Sequence, residues 1–123
     1  MGLARSLWAS SKGTDFLFLK IFMEFFIYIL YSEGSNVYYI GHTNDFIRRL
    51  EEHNTSKHLT FTAKHRPWVL KVVYACGNLK AEAVKIERFI KRQKSRNLIE
   101  RLIEGSELTG ILSQLVRVPH VRD

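Results

Sequence analysis

The stretch FFIYILYSEGSNVYYIG, residues 25–41, decides the fold. Residues 25–31 are all β-branched, aromatic or leucine, and this composition predicts a strand. Ser32 to Asn36 predicts a turn, and Val37 to Gly41 predicts a second strand. The two strands should pair as an antiparallel hairpin, which brings Tyr28 and Tyr39 to one side of the sheet.

The residues after the hairpin predict a helix, a loop and a third strand. The helix runs from about Asp45 to His53, with Thr43 or Asn44 as its cap and an apolar stripe that begins at Phe46. Residues 55–67 are polar and basic and predict a long loop. Residues 68–75 are rich in valine and predict the third strand.

Two more helices are expected before the tail. Asn78 should cap the first of them, and the second should start at Ser95 and stop at Gly105. The tail beyond Gly105 fits a short helix or an irregular docked segment equally well. The fold class is therefore α+β, a three-stranded and mostly antiparallel sheet flanked by helices, in the order β-β-α-β-α-α.

A length of 123 residues fits one domain. We expect an N-terminal arm or upstream start over residues 1–22, the domain over 23–105 and a tail over 106–123. The single cysteine, Cys76, excludes an internal disulfide and a multi-cysteine zinc site, so we expect a reducing, cytoplasmic location. Lys20 and Glu24 interrupt the apolar run at residues 16–31, which argues against a membrane span, although a membrane anchor at 16–26 stays as a third interpretation.

The basic charge of the chain is concentrated in one block. Residues 57–101 hold twelve lysines and arginines against three glutamates, a net charge of +9. Such a block favours a polyanionic partner, most simply nucleic acid, and a solvated helix face is the ordinary alternative.

Each candidate site residue also has an ordinary structural explanation. Tyr28 and Tyr39 fit core packing across a hairpin. Arg49 and His53 lie four residues apart and should share a helix face, away from the apolar stripe of that helix, and Glu52 could pair with Arg49. Glu87 fits either an ion pair with Lys91 or a single ligand for a hard divalent cation, with water and substrate phosphate completing its shell.

Taken together, these residues resemble the GIY-YIG nuclease superfamily. The resemblance rests on Phe26-Ile27-Tyr28 and Tyr39-Ile40-Gly41, followed by Arg49, His53-Asn54 and Glu87, and covers about residues 24–104. It is nearest to the small single-domain branch related to the nuclease domain of the bacterial repair excinuclease.

Two positions depart from the pattern of the superfamily. Phe26 stands where the superfamily name has glycine, and Phe61 stands where relatives often have tyrosine. Phe61 lies in the segment from Thr60 to Trp68, which resembles the threonine, basic and proline segment that this branch has before its third strand. Neither departure removes a reacting side chain.

The resemblance implies metal-dependent hydrolysis of phosphodiester bonds in DNA. It implies that Glu87 holds one Mg²⁺ or Mn²⁺, that Tyr28 is the base or orients the water, and that Tyr39 positions the phosphate or the water. Arg49 would stabilise the developing charge and His53 would relay a proton or contact the phosphate. Gly41 and Asn54 would have structural roles.

The basic block would contact the DNA backbone without reading sequence. The residues expected there are Lys57, Lys64, Arg66, Lys91, Arg92, Lys94 and Arg96. Damaged or branched DNA is the expected substrate, in repair or recombination, and a protein partner would supply targeting. The alternative is a non-catalytic nucleic-acid-binding module with the same fold.

Overall fold

A computed structural model describes residues 24–119 of the chain. The predicted arm over residues 1–22 lies outside the described residues. In chain order the elements are β1 (Phe26–Ser32), β2 (Val37–Thr43), α1 (Phe46–Thr55), α2 (Thr60–Ala63), β3 (Trp68–Ala75), α3 (Lys80–Gln93), α4 (Arg96–Glu104), a 3₁₀ helix (Gly110–Gln114) and β4 (Val116–Arg117).

The described strands form one antiparallel sheet in the order β2-β1-β3-β4. The predicted hairpin is present, and its register pairs Tyr28 with Gly41 and Leu30 with Tyr39. The prediction of three strands is wrong, because a fourth strand of two residues pairs with β3. The predicted order also lacks α2, which lies inside the segment expected to be a loop.

Each face of the sheet packs against its own set of helices. On one face, Ile27, Ile29 and Val72 form a core with α3, α4 and the end of the chain. On the other face, Phe26, Tyr28, Leu30, Trp68 and Val73 form a second core, against which the α1 side chains Phe46 and Leu50 pack. Helices therefore lie on both sides of β2, the strand at the sheet edge.

The α1 helix begins one residue later than its expected caps. The Asp45 carboxylate accepts a hydrogen bond from the Arg48 backbone N–H, so Asp45 is the N-cap. The Thr43 hydroxyl instead accepts a hydrogen bond from the Asp45 backbone N–H. The α3 helix likewise starts after Leu79 with no side-chain cap, so the expected cap at Asn78 is wrong.

The last helix matches its sequence signals closely. The Ser95 hydroxyl accepts a hydrogen bond from the Leu98 backbone N–H at 3.0 Å. Gly105 ends α4 with φ of 87°, a left-handed conformation that favours glycine.

The chain beyond Gly105 is packed onto the core. Leu112 and Leu115 are buried there, and the Val118 backbone N–H donates to the Val73 carbonyl at 2.9 Å. The segment contains both the 3₁₀ helix and β4, so it extends the sheet. Among residues 24–119, no helix has the length and apolar character needed to cross a membrane.

Candidate active site

The phenol of Tyr28 lies directly across the backbone of Gly41. The two residues are paired in the β1–β2 register. A Cβ atom added to Gly41 would lie 2.4 Å from the Tyr28 hydroxyl oxygen and 2.5 Å from its Cζ. No side chain fits in that space, so glycine is required here by close approach and not by an unusual backbone angle.

Tyr28 begins a buried hydrogen-bonded chain that ends at α2. Its hydroxyl lies 2.9 Å from His53 Nε2, and His53 Nδ1 lies 3.2 Å from Thr62 Oγ1. Because the Thr62 hydroxyl donates to the Leu59 carbonyl, its oxygen accepts from Nδ1–H. This tautomer leaves His53 Nε2 as the acceptor for the Tyr28 hydroxyl proton.

Burial controls the protonation of both groups in this chain. Burial, and secondly the charge of Arg49, lower the pKa of His53 to about 4, so the imidazole is neutral at pH 7. Burial raises the pKa of the Tyr28 hydroxyl well above its ordinary value, although Arg49 opposes the shift by hydrogen bonding to it. Tyr28 is therefore a protonated phenol whose proton faces a neutral base.

Arg49 connects the phenol to solvent. Its guanidinium donates to Glu52 Oε1 at 2.9 Å, as its spacing from Glu52 suggested, and also to the Tyr28 hydroxyl. Burial opposes the charge, but these hydrogen bonds outweigh it and raise the pKa of Arg49. The side chain is 30% exposed, so a positive charge lies beside the phenol at an accessible surface.

The α1 helix presents His53 differently from the sequence prediction. His53 is fully buried and lies on the same side as the apolar residues Phe46 and Leu50, so the expectation that it points away from them is wrong. Positions 46, 50 and 53 follow the spacing of one helix stripe, and the histidine replaces an apolar residue in it.

Tyr39 lies between the two layers of helices. Its ring centroid is 6.3 Å from that of Tyr28 and 4.6 Å from that of His53. The ammonium of Lys91, from α3 on the other face of the sheet, lies 5.5 Å from the Tyr39 ring. The two tyrosines therefore do share one side, as the hairpin predicted.

Glu87 of α3 reaches the same sheet edge from the opposite face. Its Oε1 lies 2.5 Å from His42 Nδ1, and its Oε2 accepts from the Lys91 ammonium at 2.7 Å. The predicted ion pair with Lys91 is present. The negative charge of Glu87 also contributes to the raised pKa of Tyr28, though less than burial does, which places the carboxylate within electrostatic reach of the phenol.

Asn54 and Arg66 fasten α1 to the segment that follows it. The Asn54 side chain accepts from the Trp68 backbone N–H at 2.7 Å and donates to the Trp68 carbonyl at 3.1 Å. The Arg66 guanidinium donates to the carbonyls of His53 and Ser56 at 2.6 and 2.5 Å. These carbonyls belong to the last turn of α1 and its cap, so Arg66 caps the helix that carries the site.

The other residues of the predicted DNA surface divide into two groups. Arg96 bonds to the carbonyl and side chain of Asn36 at 3.0 and 2.6 Å, which ties the hairpin turn to α4. The side chains exposed to solvent without such backbone anchoring belong to Lys57, Lys64, Lys91, Arg92 and Lys94. The last three are at the C-terminal end of α3, on the side of the molecule that holds Glu87.

Comparison with known proteins identifies this arrangement. The family model of the GIY-YIG catalytic domain matches residues 24–100, which include every residue of the site. The chain belongs to the GIY-YIG family. Its resemblance to that family, inferred from the two tyrosine motifs and the residues after them, is confirmed, and with it comes the nuclease fold.

Curated relatives within the GIY-YIG family are UPF0213 proteins. The chain is 36% identical to one from Streptococcus pneumoniae over 67% of this chain and 81% of the relative. It is 35% identical to one from Listeria monocytogenes over 68% and 92% of the two chains. It is 32% identical to one from Bacillus licheniformis over 70% and 86%.

The donor set around Glu87 fits the kind of divalent cation that this family implies. Within residues 24–119 no cluster of three or more His, Cys, Asp or Glu side chains could form a closed metal cage. A single accessible carboxylate suits Mg²⁺ or Mn²⁺, which keep several waters and share their shell with substrate phosphate. The Lys91 ammonium beside Oε2 indicates that a positive charge is accommodated there.

Sequence reasoning did not assign roles to His42, Thr62 or Trp68. His42 directly follows Gly41, and strand alternation places it on the face toward α3, which was a usable signal. Thr62 and Trp68 belong to the segment from Thr60 to Trp68 that resembles relatives. Their contacts with His53 and Tyr39 depend on the fold of α2, which no local pattern indicated.

Proposed function

We propose that this protein is a metal-dependent endonuclease that hydrolyses phosphodiester bonds in DNA. The observation that carries the proposal is the buried Tyr28 hydroxyl, hydrogen-bonded to His53 and Arg49 at the sheet edge that also holds Glu87. Core packing alone would not require a phenol, a neutral imidazole, a guanidinium and a carboxylate at one edge.

Tyr28 and His53 would act together in proton transfer. A phenol with a raised pKa is a poor base by itself. As a water attacks the phosphorus, the Tyr28 oxygen accepts the water proton while the Tyr28 proton passes to His53 Nε2. His53 is neutral at pH 7 and can take that proton, and Thr62 holds it in the tautomer this step requires.

Arg49, Tyr39 and Glu87 would handle the charge of the phosphate. The Arg49 guanidinium is always charged and suits the negative charge that develops on phosphoryl oxygens. The Tyr39 ring lies between Tyr28 and Lys91 and would position the phosphate. Glu87 would hold Mg²⁺ or Mn²⁺, and the bound ion would neutralise charge and stabilise the leaving oxygen.

The exposed basic side chains at Lys57, Lys64, Lys91, Arg92 and Lys94 would contact the DNA backbone on either side of the site. Contacts of this type do not read sequence. We therefore propose selection of DNA structure, such as a damaged or branched site in repair, with a protein partner for targeting in the cytoplasm.

The test is cleavage of a panel of plasmid, single-stranded, flap and four-way-junction DNA with Mg²⁺, Mn²⁺ or EDTA. The parent should cut at least one substrate with a metal and none in EDTA. Tyr28→Phe and Arg49→Lys should lose activity while binding DNA and folding normally. Binding without cleavage in any metal would favour the non-catalytic module instead.

A further inference from the structure

Phe61 is the most exposed large apolar side chain among the described residues. It is 70% exposed, compared with 64% for Val116, 60% for Leu79 and 43% for Ile47. Single exposed apolar residues are common on protein surfaces. The exposure of Phe61 is therefore informative only together with its position and its neighbours.

The turn that carries Phe61 is fastened to the candidate site. Its next neighbour, Thr62, is buried and contacts His53 Nδ1 at 3.2 Å. The Trp68 indole N–H donates to the Thr62 carbonyl at 2.9 Å. Because two hydrogen bonds hold α2 on its buried side, the Phe61 ring projects from a fixed backbone position relative to Tyr28 and His53.

A row of aromatic contacts leads from Phe61 into the site. The ring centroids of Phe61 and His65 are 6.4 Å apart, and those of His65 and Trp68 are 6.1 Å apart. Trp68 and Tyr39 are also 6.1 Å apart. The Phe61 ring is thus within ~19 Å of the Tyr39 ring, or about five nucleotide steps of 3.4 Å along a stacked strand.

The charges around Phe61 favour an anionic polymer. The segment from 56 to 71 holds Lys57, Lys64, Arg66 and Lys71 and no Asp or Glu. Lys57 and Lys64 are exposed on the two sides of Phe61 in the chain. Exposed aromatic rings among lysines and arginines are typical of surfaces that stack bases while cations contact the phosphates.

We propose that Phe61 stacks on an unpaired nucleobase of the DNA strand, within about five nucleotides of the phosphate bound at Tyr39. The proposal rests on the proposed nuclease function, which supplies the strand and its position. A base on this ring must leave its own stack, so Phe61 would favour single-stranded or distorted DNA over intact duplex.

The first test measures affinity for a fluorescent single-stranded oligonucleotide in EDTA, where no cleavage occurs. Phe61→Ala should weaken binding on the order of 10-fold, and Phe61→Trp should restore it, because a base stacks on either ring. The matched control is Leu79→Ala, which removes a comparably exposed apolar side chain at the start of α3 and should bind as the parent does.

The salt dependence of binding separates stacking from phosphate contact. Phe61→Ala should keep the parent slope of log K against log salt, since it removes no phosphate contact. Lys64→Gln should reduce that slope by about 0.7, the value for one contact on a single strand.

The second test places 2-aminopurine at successive positions of the oligonucleotide. One position should change in fluorescence on binding to the parent and to no comparable extent on binding to Phe61→Ala. Parent-like affinity of Phe61→Ala, or no position that depends on Phe61, would overturn the proposal. So would a lower thermal stability of Phe61→Ala, or loss of self-association in that variant, because Phe61 would then pack against protein.

The two proposals fail differently. Stacking that depends on Phe61, with no cleavage in any metal, would refute the nuclease function and leave Phe61 as part of a DNA-binding surface. Cleavage that does not respond to Phe61→Ala, together with parent-like binding, would refute the stacking role alone.

Discussion

The fold should lose stability as the pH falls from 7 toward 4, because His53 is buried without a charge. Its side chain has no exposed surface, and burial first and the charge of Arg49 second lower its pKa from 6.5 to about 4. The unfolded chain therefore takes up a proton near pH 6.5 that the folded chain accepts only near pH 4. The contribution is complete above pH 6.5 and is lost as the pH falls through that window.

The size of the effect follows from the two pKa values. The separation between 6.5 and about 4 corresponds to ~3 kcal/mol of folding free energy. Of this, about 2 kcal/mol should be lost between pH 7 and pH 5. Domains of this size are stable by only about 5 to 15 kcal/mol, so the loss is large enough to measure.

The assay is urea denaturation followed by circular dichroism at pH 7, 6 and 5. His53→Gln keeps a polar group near Tyr28 but cannot titrate, so its stability should be lower at pH 7 and should change far less with pH. His58→Gln, at an exposed position before α2, should keep the parent slope. A parent whose stability is flat between pH 7 and pH 5, or a His53→Gln variant with the parent slope, would refute the reasoning.

Three further predictions concern packing and reactivity. Gly41→Ala should destabilise the fold by about 1–3 kcal/mol in urea denaturation, because its Cβ would overlap the Tyr28 phenol; unchanged stability would show that the ring moves at no cost. Asn54→Ala should cost about 1–3 kcal/mol, since it leaves the buried ends of two hydrogen bonds to Trp68 unmet; a melting temperature equal to that of the parent would count against this role. Cys76 is buried and its pKa is raised to about 11, mainly by burial, so it should react with a thiol reagent at pH 8 on the order of 100-fold more slowly than glutathione; an equal rate would contradict its burial.

The hairpin and the last helix were predictable because their signals are local. Strand alternation around residues 25–41 fixes which side chains share a face, and the pairing of Tyr28 with Gly41 follows from the turn length. Ser95 and Gly105 mark the two ends of α4 with side-chain and backbone chemistry that acts within one turn.

The fourth strand and α2 were not predictable for a physical reason. β4 has two residues and exists only because the end of the chain lies beside β3. The α2 turn has four residues, too short to be stable alone, and it depends on the contacts of Thr62 with His53 and Trp68. Both elements are products of tertiary packing.

Within the candidate site, the sequence indicated the residue types but not how they are used. A histidine in a helix suggests an exposed face, yet His53 is buried because it has hydrogen-bond partners on both ring nitrogens. The basic block likewise does not distinguish Lys64, which is exposed, from Arg66, whose guanidinium is occupied by helix carbonyls.

The most direct test of the account compares DNA cleavage by the parent with cleavage by Glu87→Gln in Mg²⁺ and Mn²⁺. Glu82→Gln is the matched control, the same change in the first turn of the same helix. The account predicts that Glu87→Gln binds DNA as the parent does but cuts it on the order of 100-fold more slowly or worse, while Glu82→Gln cuts normally. Cleavage by Glu87→Gln at the parent rate would contradict the assignment of this carboxylate to the metal and, with it, the proposed chemistry.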